Sequence, residues 1–123
     1  VDLPGYGFAQ VSLKARQEWA KLINGYFDQK RRIATVVTLV DIRHDANKLD
    51  VQMIDFLRDR GLPFLVALTK ADKIGRQARL QQADSLRRQF ELPDDVRMIV
   101  TSSTAGDGIK DLRRAIEAAC REA

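Results

Sequence analysis

The stretch IATVVTLVDI, from Ile33 to Ile42, decides the fold that this sequence predicts. Its residues are almost all apolar or β-branched, without the alternation of a strand that has one solvent-exposed face. Such a run is typical of a strand buried on both faces, as in a parallel sheet. A second run of this kind over residues 63–69 and a shorter one over 97–101 predict two further strands.

Amphipathic segments separate these strands. Apolar residues recur at three- and four-residue steps, which indicates helices over residues 12–30, 47–60, 76–90 and 107–121. Gly61 is the expected stop of the second helix. Since strand and helix alternate with short connections, the sequence predicts an α/β protein with three α/β/α layers around a mostly parallel sheet.

The composition fits one ordinary globular domain. The chain has 123 residues, of which 45% are hydrophobic and 31% charged, and it contains no apolar run of the roughly 20 residues that cross a bilayer. Cys120 is the single cysteine, so an internal disulfide or a cysteine-based zinc site within these residues is excluded. We expect a cytoplasmic protein without a membrane partner. The net charge of +4 permits an RNA partner without requiring one.

Ligands of parallel α/β sheets bind beyond the carboxyl ends of the strands, which here predicts chemistry at the loops that start near Asp2, Asp41, Thr69 and Thr101; three of these loops carry motifs. The first loop at such a position is Asp2-Leu3-Pro4-Gly5. An Asp at a strand end can hold Mg²⁺ through a water molecule, and Gly lets the backbone N–H approach a terminal phosphate. The alternative is an ordinary loop turned by Pro and Gly.

The second loop is Thr69-Lys70-Ala71-Asp72, directly after a predicted strand. A fixed carboxylate at Asp72 would accept hydrogen bonds from guanine N1 and N2, whereas adenine offers no such pair of donors. Lys70 could lay its aliphatic stem along the base and ribose. The alternative is an exposed charged turn.

The third loop is Thr101-Ser102-Ser103, again after a predicted strand. A backbone N–H here could donate to guanine O6. The alternative is simple capping of the last helix by Thr104 or Asp107. All three loops occur in order and each follows a predicted strand. This arrangement favours a nucleotide site over three unrelated turns.

Several motifs resemble the bacterial EngB family of ribosome-assembly GTPases, within the Ras-like P-loop class. The resemblance covers the whole chain and is carried by Val1-Asp-Leu-Pro-Gly-Tyr-Gly-Phe-Ala9, Leu39-Val-Asp-Ile-Arg-His44, Asp50-Val51, Gly61-Leu-Pro-Phe-Leu65 and Thr69-Lys-Ala-Asp-Lys73. It implies that Asp2 to Gly5 faces Mg²⁺ and the γ-phosphate of GTP. It also implies that the loops at Thr69 to Asp72 and Thr101 to Ser103 enclose the base of GTP or GDP.

The resemblance further implies a Ras-like P-loop NTPase fold and a switch function in large ribosomal subunit assembly, with rRNA as a partner. An effect on cell division and septation would follow from that function. The resemblance also implies slow hydrolysis that depends on a partner or a bound K⁺. Tyr6 stands where Ras-like enzymes commonly place a water-orienting Gln, so we assign no catalytic residue.

Complete family members begin with a strand, a G-x-x-x-x-G-K-[ST] loop, a helix and a threonine-bearing switch, and these 123 residues contain none of them. We therefore expect residues 1–123 to form a partial GTPase domain that starts at the Asp-x-x-Gly loop and is incomplete at its N-terminus. Such a polypeptide should bind GTP poorly and hydrolyse it negligibly. The edge of the Ile33 to Ile42 strand would be bare and could cause aggregation or a swapped assembly.

Two other functions are compatible with the sequence. The chain could be a scaffold that binds RNA or the ribosome without nucleotide, using basic groups such as Lys30-Arg31-Arg32 and Arg87-Arg88. It could also belong to another nucleotide enzyme with a similar sheet, such as a kinase. His44, the only histidine, is expected to form a loop hydrogen bond in preference to a partner contact.

Overall fold

The computed structural model describes residues 13–28, 33–102, 106 and 108–122. Strands and helices alternate as the sequence predicted. The strands are β1 (Val36–Asp41), β2 (Phe64–Thr69) and β3 (Met98–Val100), and the helices are α1 (Leu13–Asp28), α2 (Lys48–Asp59), α3 (Arg76–Gln89) and α4 (Ile109–Glu122), with a short 3₁₀ helix at Ala71–Lys73.

The three described strands form a parallel sheet in the order β1-β2-β3. Asp41 lies opposite Thr69, and Leu68 lies opposite Val100, so the carboxyl ends of all three strands meet at one edge. The predicted α/β class with a parallel sheet is confirmed, and this edge is where the site should lie.

The first strand is shorter than predicted. The ladder starts at Val36, whose N–H donates to the Pro63 carbonyl at 2.9 Å. Pro63 has no N–H, so it cannot donate the next bond of the parallel ladder to a carbonyl before Val36, and residues 33–35 lie outside the strand. Gly61 follows α2 with a φ of 64°, as expected for the stop of this helix, and Asn47 caps the helix by accepting the Asp50 N–H at 2.7 Å.

The core has a cluster on each face of the sheet. On one face, Val66 and Leu68 of β2 pack with residues of α2 and α3, including Ile54 and Leu86. On the other face, Leu65 packs with Ile99 of β3 and with Ala115 of α4. Helices therefore cover both faces of β2, which gives the predicted three layers.

A third cluster joins α1 to α2 and β1 around Trp19, which is fully buried and has its ring centroid 6.2 Å from that of Phe56. Trp19 is thus a core residue and not a platform for RNA bases. The predicted burial of both strand faces is confirmed for β2 but is wrong for β1, where Leu39 is 60% exposed. On that face of the sheet, Val37 of β1 packs against the cluster of Leu65, Ile99 and Ala115.

Among the described helices, none is both long enough and apolar enough to cross a membrane. The bare edge expected along residues 33–42 stays a prediction.

Candidate functional site

Hydrogen bonds fix the carboxyl ends of the three strands beside one another. The N–H of Ile42 donates to the Thr69 carbonyl at 3.0 Å, and the N–H of Thr101 donates to the Leu68 carbonyl at 2.7 Å. Two threonine hydroxyls add to these bonds, Thr69 to the Val40 carbonyl at 3.3 Å and Thr101 to that of Leu68 at 3.1 Å. The loops that leave this edge therefore start from fixed positions.

The loop after β2 turns sharply at Lys70, whose backbone is left-handed with φ 61° and ψ 34°. Ala71 follows in the 3₁₀ helix, is fully buried, and donates its N–H to the Thr101 carbonyl at 3.1 Å. Arg79 of α3 donates from Nε to the carbonyl of Ala71 at 2.7 Å. The loop is thus tied both to the neighbouring strand end and to α3.

Asp72 is held by the third loop, as a base-reading carboxylate requires. The Ser102 hydroxyl donates to Oδ1 of Asp72 at 2.8 Å, and Nζ of Lys73 lies 3.8 Å from Oδ2. The hydrogen bond from Ser102 lowers the pKa of Asp72 despite some loss of solvent around the carboxyl group. The side chain is 23% exposed, so an ionised and oriented carboxylate faces the edge of the sheet.

Ser102 contributes in a way that the sequence did not predict. We expected a backbone N–H from Thr101, Ser102 or Ser103 to donate to the base, but the structure shows the Ser102 side chain orienting Asp72. The two residues are 30 positions apart, so only the sheet order brings them together.

Asp41 at the end of β1 is a second carboxylate that the sequence did not single out as a site residue. It accepts from Arg43 through the backbone N–H at 2.9 Å, Nε at 3.1 Å and Nη2 at 2.8 Å. Nζ of Lys70 lies 3.6 Å from Oδ2 of Asp41. A carboxylate directly after a buried strand, next in register to the predicted base loop, is the signal that could have identified it.

His44 lies beside this group. Its Nε2 is 3.9 Å from Oδ2 of Asp41, and its side chain is 71% exposed. Its backbone N–H donates to the Asp41 carbonyl at 3.3 Å, and its carbonyl accepts from Gln82 of α3 at 3.0 Å. The hydrogen bonds in the loop are therefore formed by the His44 backbone.

The remaining predicted site residues, Asp2, Leu3, Pro4, Gly5 and Ser103, lie outside the described residues. The expected Mg²⁺ and phosphate contacts of the first loop stay predictions.

Comparison with known proteins finds similar chains, although no family model matches this one. The chain is 39% identical over 116 residues to the probable GTP-binding protein EngB of Syntrophomonas wolfei, and 39% identical over 117 residues to that of Halothermothrix orenii. Each alignment covers 94% of this chain. The chain is thus similar over almost its whole length to proteins named EngB.

Solved structures show a similar fold. The crystal structure of a probable GTP-binding protein EngB matches 99% of this chain and 76% of its own chain, with a TM-score of 0.74 at 27% identity. GDP-bound aIF5B from Aeropyrum pernix has a TM-score of 0.56 at 15% identity over 85% of this chain and 27% of its own, which shows a likeness of fold alone. The chain spans 59% of the length of the two curated EngB relatives.

Proposed function

We propose that this chain supplies the guanine-reading part of a GTP-binding switch protein that hydrolyses GTP to GDP. The observation that carries the proposal is the Asp72 carboxylate, which is ionised, partly exposed and oriented by Ser102 at 2.8 Å. Similarity to proteins that are named GTP-binding proteins supports the same function.

The chemistry of base selection follows from this carboxylate. Ser102 occupies one position on Oδ1, and a carboxylate has about four acceptor positions in all, so Asp72 can still accept from guanine N1 and N2. Adenine presents an acceptor at N1 and would leave the charged group unpaired, which is costly. Lys70, which precedes the buried Ala71, would cover the base and ribose with its stem.

The phosphates and Mg²⁺ would lie at the Asp2-Leu3-Pro4-Gly5 loop. Asp2 would hold the hydrated ion, Gly5 would offer its N–H to the γ-phosphate, and Mg²⁺ neutralises charge on phosphate oxygens when it is bound. Contact of this loop with the γ-phosphate, and its loss after hydrolysis, would be the switch. Support comes from the motif and from the similarity to proteins named EngB.

The output of the switch, in our proposal, is a change of affinity for a precursor of the large ribosomal subunit in the cytoplasm, with a consequence for cell division. The resemblance of the Asp-Leu-Pro-Gly-Tyr-Gly and Leu-Val-Asp-x-Arg-His segments to ribosome-assembly GTPases supports it, and the net charge of +4 is compatible with rRNA. A partner or a bound K⁺ would supply the hydrolysis rate that no described side chain accounts for.

Replacement of Asp72 by Asn tests the base-reading function. Asn presents a donor where guanine N2 also presents one, so Asp72→Asn should weaken GDP binding by about 10- to 100-fold. Xanthosine diphosphate, which carries a carbonyl at that position, should become the preferred ligand. The measurement is competition against a fluorescent GDP analogue in the protein as its gene encodes it.

Asp84→Asn is the matched control, because Asp84 is an exposed carboxylate on α3. It should leave both affinities unchanged. An Asp72→Asn protein that still prefers GDP would contradict the proposal, and equal binding of ADP and GDP by the unmodified protein would favour another nucleotide enzyme. Salt-dependent RNA binding by a protein that binds none of these nucleotides would favour the scaffold function instead.

A further inference from the structure

The carboxylate of Asp41 lies at the junction between β1 and the base-reading loop. In the sheet register Asp41 is opposite Thr69, the residue that precedes Lys70. Oδ2 of Asp41 receives Nη2 of Arg43 at 2.8 Å and lies 3.6 Å from Nζ of Lys70. One carboxylate thus joins the loop after β1 to the loop after β2.

The Asp41 end of this link is fixed. The three hydrogen bonds from Arg43 orient the carboxylate group. The loop that follows is held against α3, since Gln82 donates to the His44 carbonyl at 3.0 Å and Gln89 accepts the Ala46 N–H at 2.7 Å. A carboxylate held in this way can orient a mobile partner.

Lys70 is the mobile partner. Its side chain is 56% exposed, and its long flexible stem loses conformational freedom when it is held over a ligand. In the part of the chain that the structure describes, Asp41 is the acidic group at ion-pair distance from Nζ of Lys70.

We propose that Asp41 is a positioning residue, which holds the Lys70 ammonium so that the lysine stem is arranged over the base and ribose before the nucleotide binds. This inference rests on the proposed function and deepens it. Asp41 sets affinity by reducing the conformational freedom that Lys70 loses on binding, and it takes no part in the choice between guanine and other bases.

A double-mutant cycle for GDP affinity tests this role in the protein as its gene encodes it. Asp41→Asn should weaken GDP binding by about two- to fivefold, as expected for a partly exposed ion pair, and should leave the ratio of GDP to xanthosine diphosphate affinity unchanged. Lys70→Met removes the ammonium group. In the Lys70→Met protein, adding Asp41→Asn should have no further effect, because the two residues then have no interaction left to lose.

The Arg43→Gln variant shows whether a loss of GDP affinity comes from losing the Asp41–Lys70 ion pair or from a general disturbance of the loop after β1. It removes the side-chain hydrogen bonds of Arg43 but leaves the carboxylate available to Lys70, so GDP affinity should fall less than in Asp41→Asn. Asp84→Asn should change nothing. An Arg43→Gln effect as large as that of Asp41→Asn, or an Asp41→Asn effect that persists in the Lys70→Met background, would overturn the inference.

The failure of this inference can be distinguished from failure of the proposed function. An unmodified protein without preference for guanine would contradict the proposed function itself. A guanine-selective protein in which Asp41→Asn leaves GDP affinity unchanged would contradict the positioning role alone.

Discussion

At the scale of single residues, the charge on Asp41 connects stability to pH. The side-chain hydrogen bonds from Arg43 lower the pKa of Asp41 from 3.8 to about 2, although partial burial opposes the shift. A carboxyl group with a lowered pKa in the folded state stabilises the fold while it is ionised. Its contribution is therefore fully present above about pH 4 and is lost as the pH falls through about 2.

We expect Asp41→Asn to remove this pH dependence. At neutral pH the unmodified protein should be more stable than the variant by about 1–2 kcal/mol, a value reduced for the partial exposure of the pair. The difference should shrink as the pH is lowered from 4 to 2. Urea unfolding followed by circular dichroism at several pH values would measure it.

Arg43→Gln should flatten the same part of the stability curve, because it removes the main cause of the lowered pKa. A stability difference between the unmodified protein and Asp41→Asn that stays constant from pH 7 to pH 2 would contradict this account.

The residues of the site were predicted to different degrees. The motif after β2 was sufficient to propose Lys70 and Asp72 as residues of a base site, because the chemistry of guanine recognition depends on local spacing. The function of Ser102 as the holder of Asp72 depends on a contact across 30 positions. Asp41 was also missed as a site residue, since its relation to Lys70 appears only when the register of β1 and β2 is known.

At the scale of elements, the junction of β3 and α4 depends on a glycine. Gly108 has a φ of 72°, and a Cβ atom built there would lie 1.9 Å from the Val100 carbonyl oxygen. Only a residue without Cβ lets the start of α4 approach the end of β3 so closely. Gly106, two residues earlier, has a similar φ of 77° but no neighbouring atom within 4 Å of such a Cβ.

These two glycines form a matched pair for a stability experiment. Gly106→Ala should cost about 1 kcal/mol, from the left-handed backbone alone. Gly108→Ala should cost about 3 kcal/mol or more, because the backbone of β3 or α4 must also move. Chemical denaturation of both variants would measure the difference in the free energy of unfolding. Equal losses of stability would show that the contact between Gly108 and the end of β3 does not contribute to stability.

Element boundaries were predictable where a local cause sets them. Asn47 and Gly61 bracket α2 through capping and a left-handed turn, which are properties of the residues themselves. The start of β1 was misplaced because it depends on Pro63, which directly precedes β2. A run of apolar residues does not contain that information.

At the scale of the whole molecule, the parallel sheet and the layers on both faces followed from the alternation of strands and helices. The alternation of elements did not predict that Leu39 of β1 is 60% exposed. A run of apolar residues indicates that a strand can be buried, but it does not show which element packs on each face of that strand. The span of 59% of the curated relatives also means that the activity of those proteins cannot be assigned to these 123 residues without experiment.

A polypeptide of these 123 residues should bind GTP more weakly than the micromolar range. Its sequence contains the base-reading residues but no G-x-x-x-x-G-K-[ST] loop, whose lysine and hydroxyl group bind the β- and γ-phosphates and Mg²⁺. Titration calorimetry would measure the affinity. GMP should bind nearly as well as GTP, because the G-x-x-x-x-G-K-[ST] loop is missing from this polypeptide and the Asp2 to Gly5 loop alone should add little affinity for the extra phosphates.

Micromolar binding of GTP, or a large preference for GTP over GMP, would contradict this expectation. Either result would mean that the Asp2 to Gly5 loop, or other residues of this chain, binds the phosphates strongly without the G-x-x-x-x-G-K-[ST] loop.

The bond from the Ala71 N–H to the Thr101 carbonyl, at 3.1 Å, has a consequence for kinetics. Together with the Ser102–Asp72 bond, it joins the loops after β2 and β3 into one hydrogen-bonded unit. Neither loop can swing outward without breaking contacts with the other, so the two should open in one event with one rate. Escape of a bound base would then be timed by that shared opening and not by two independent fluctuations.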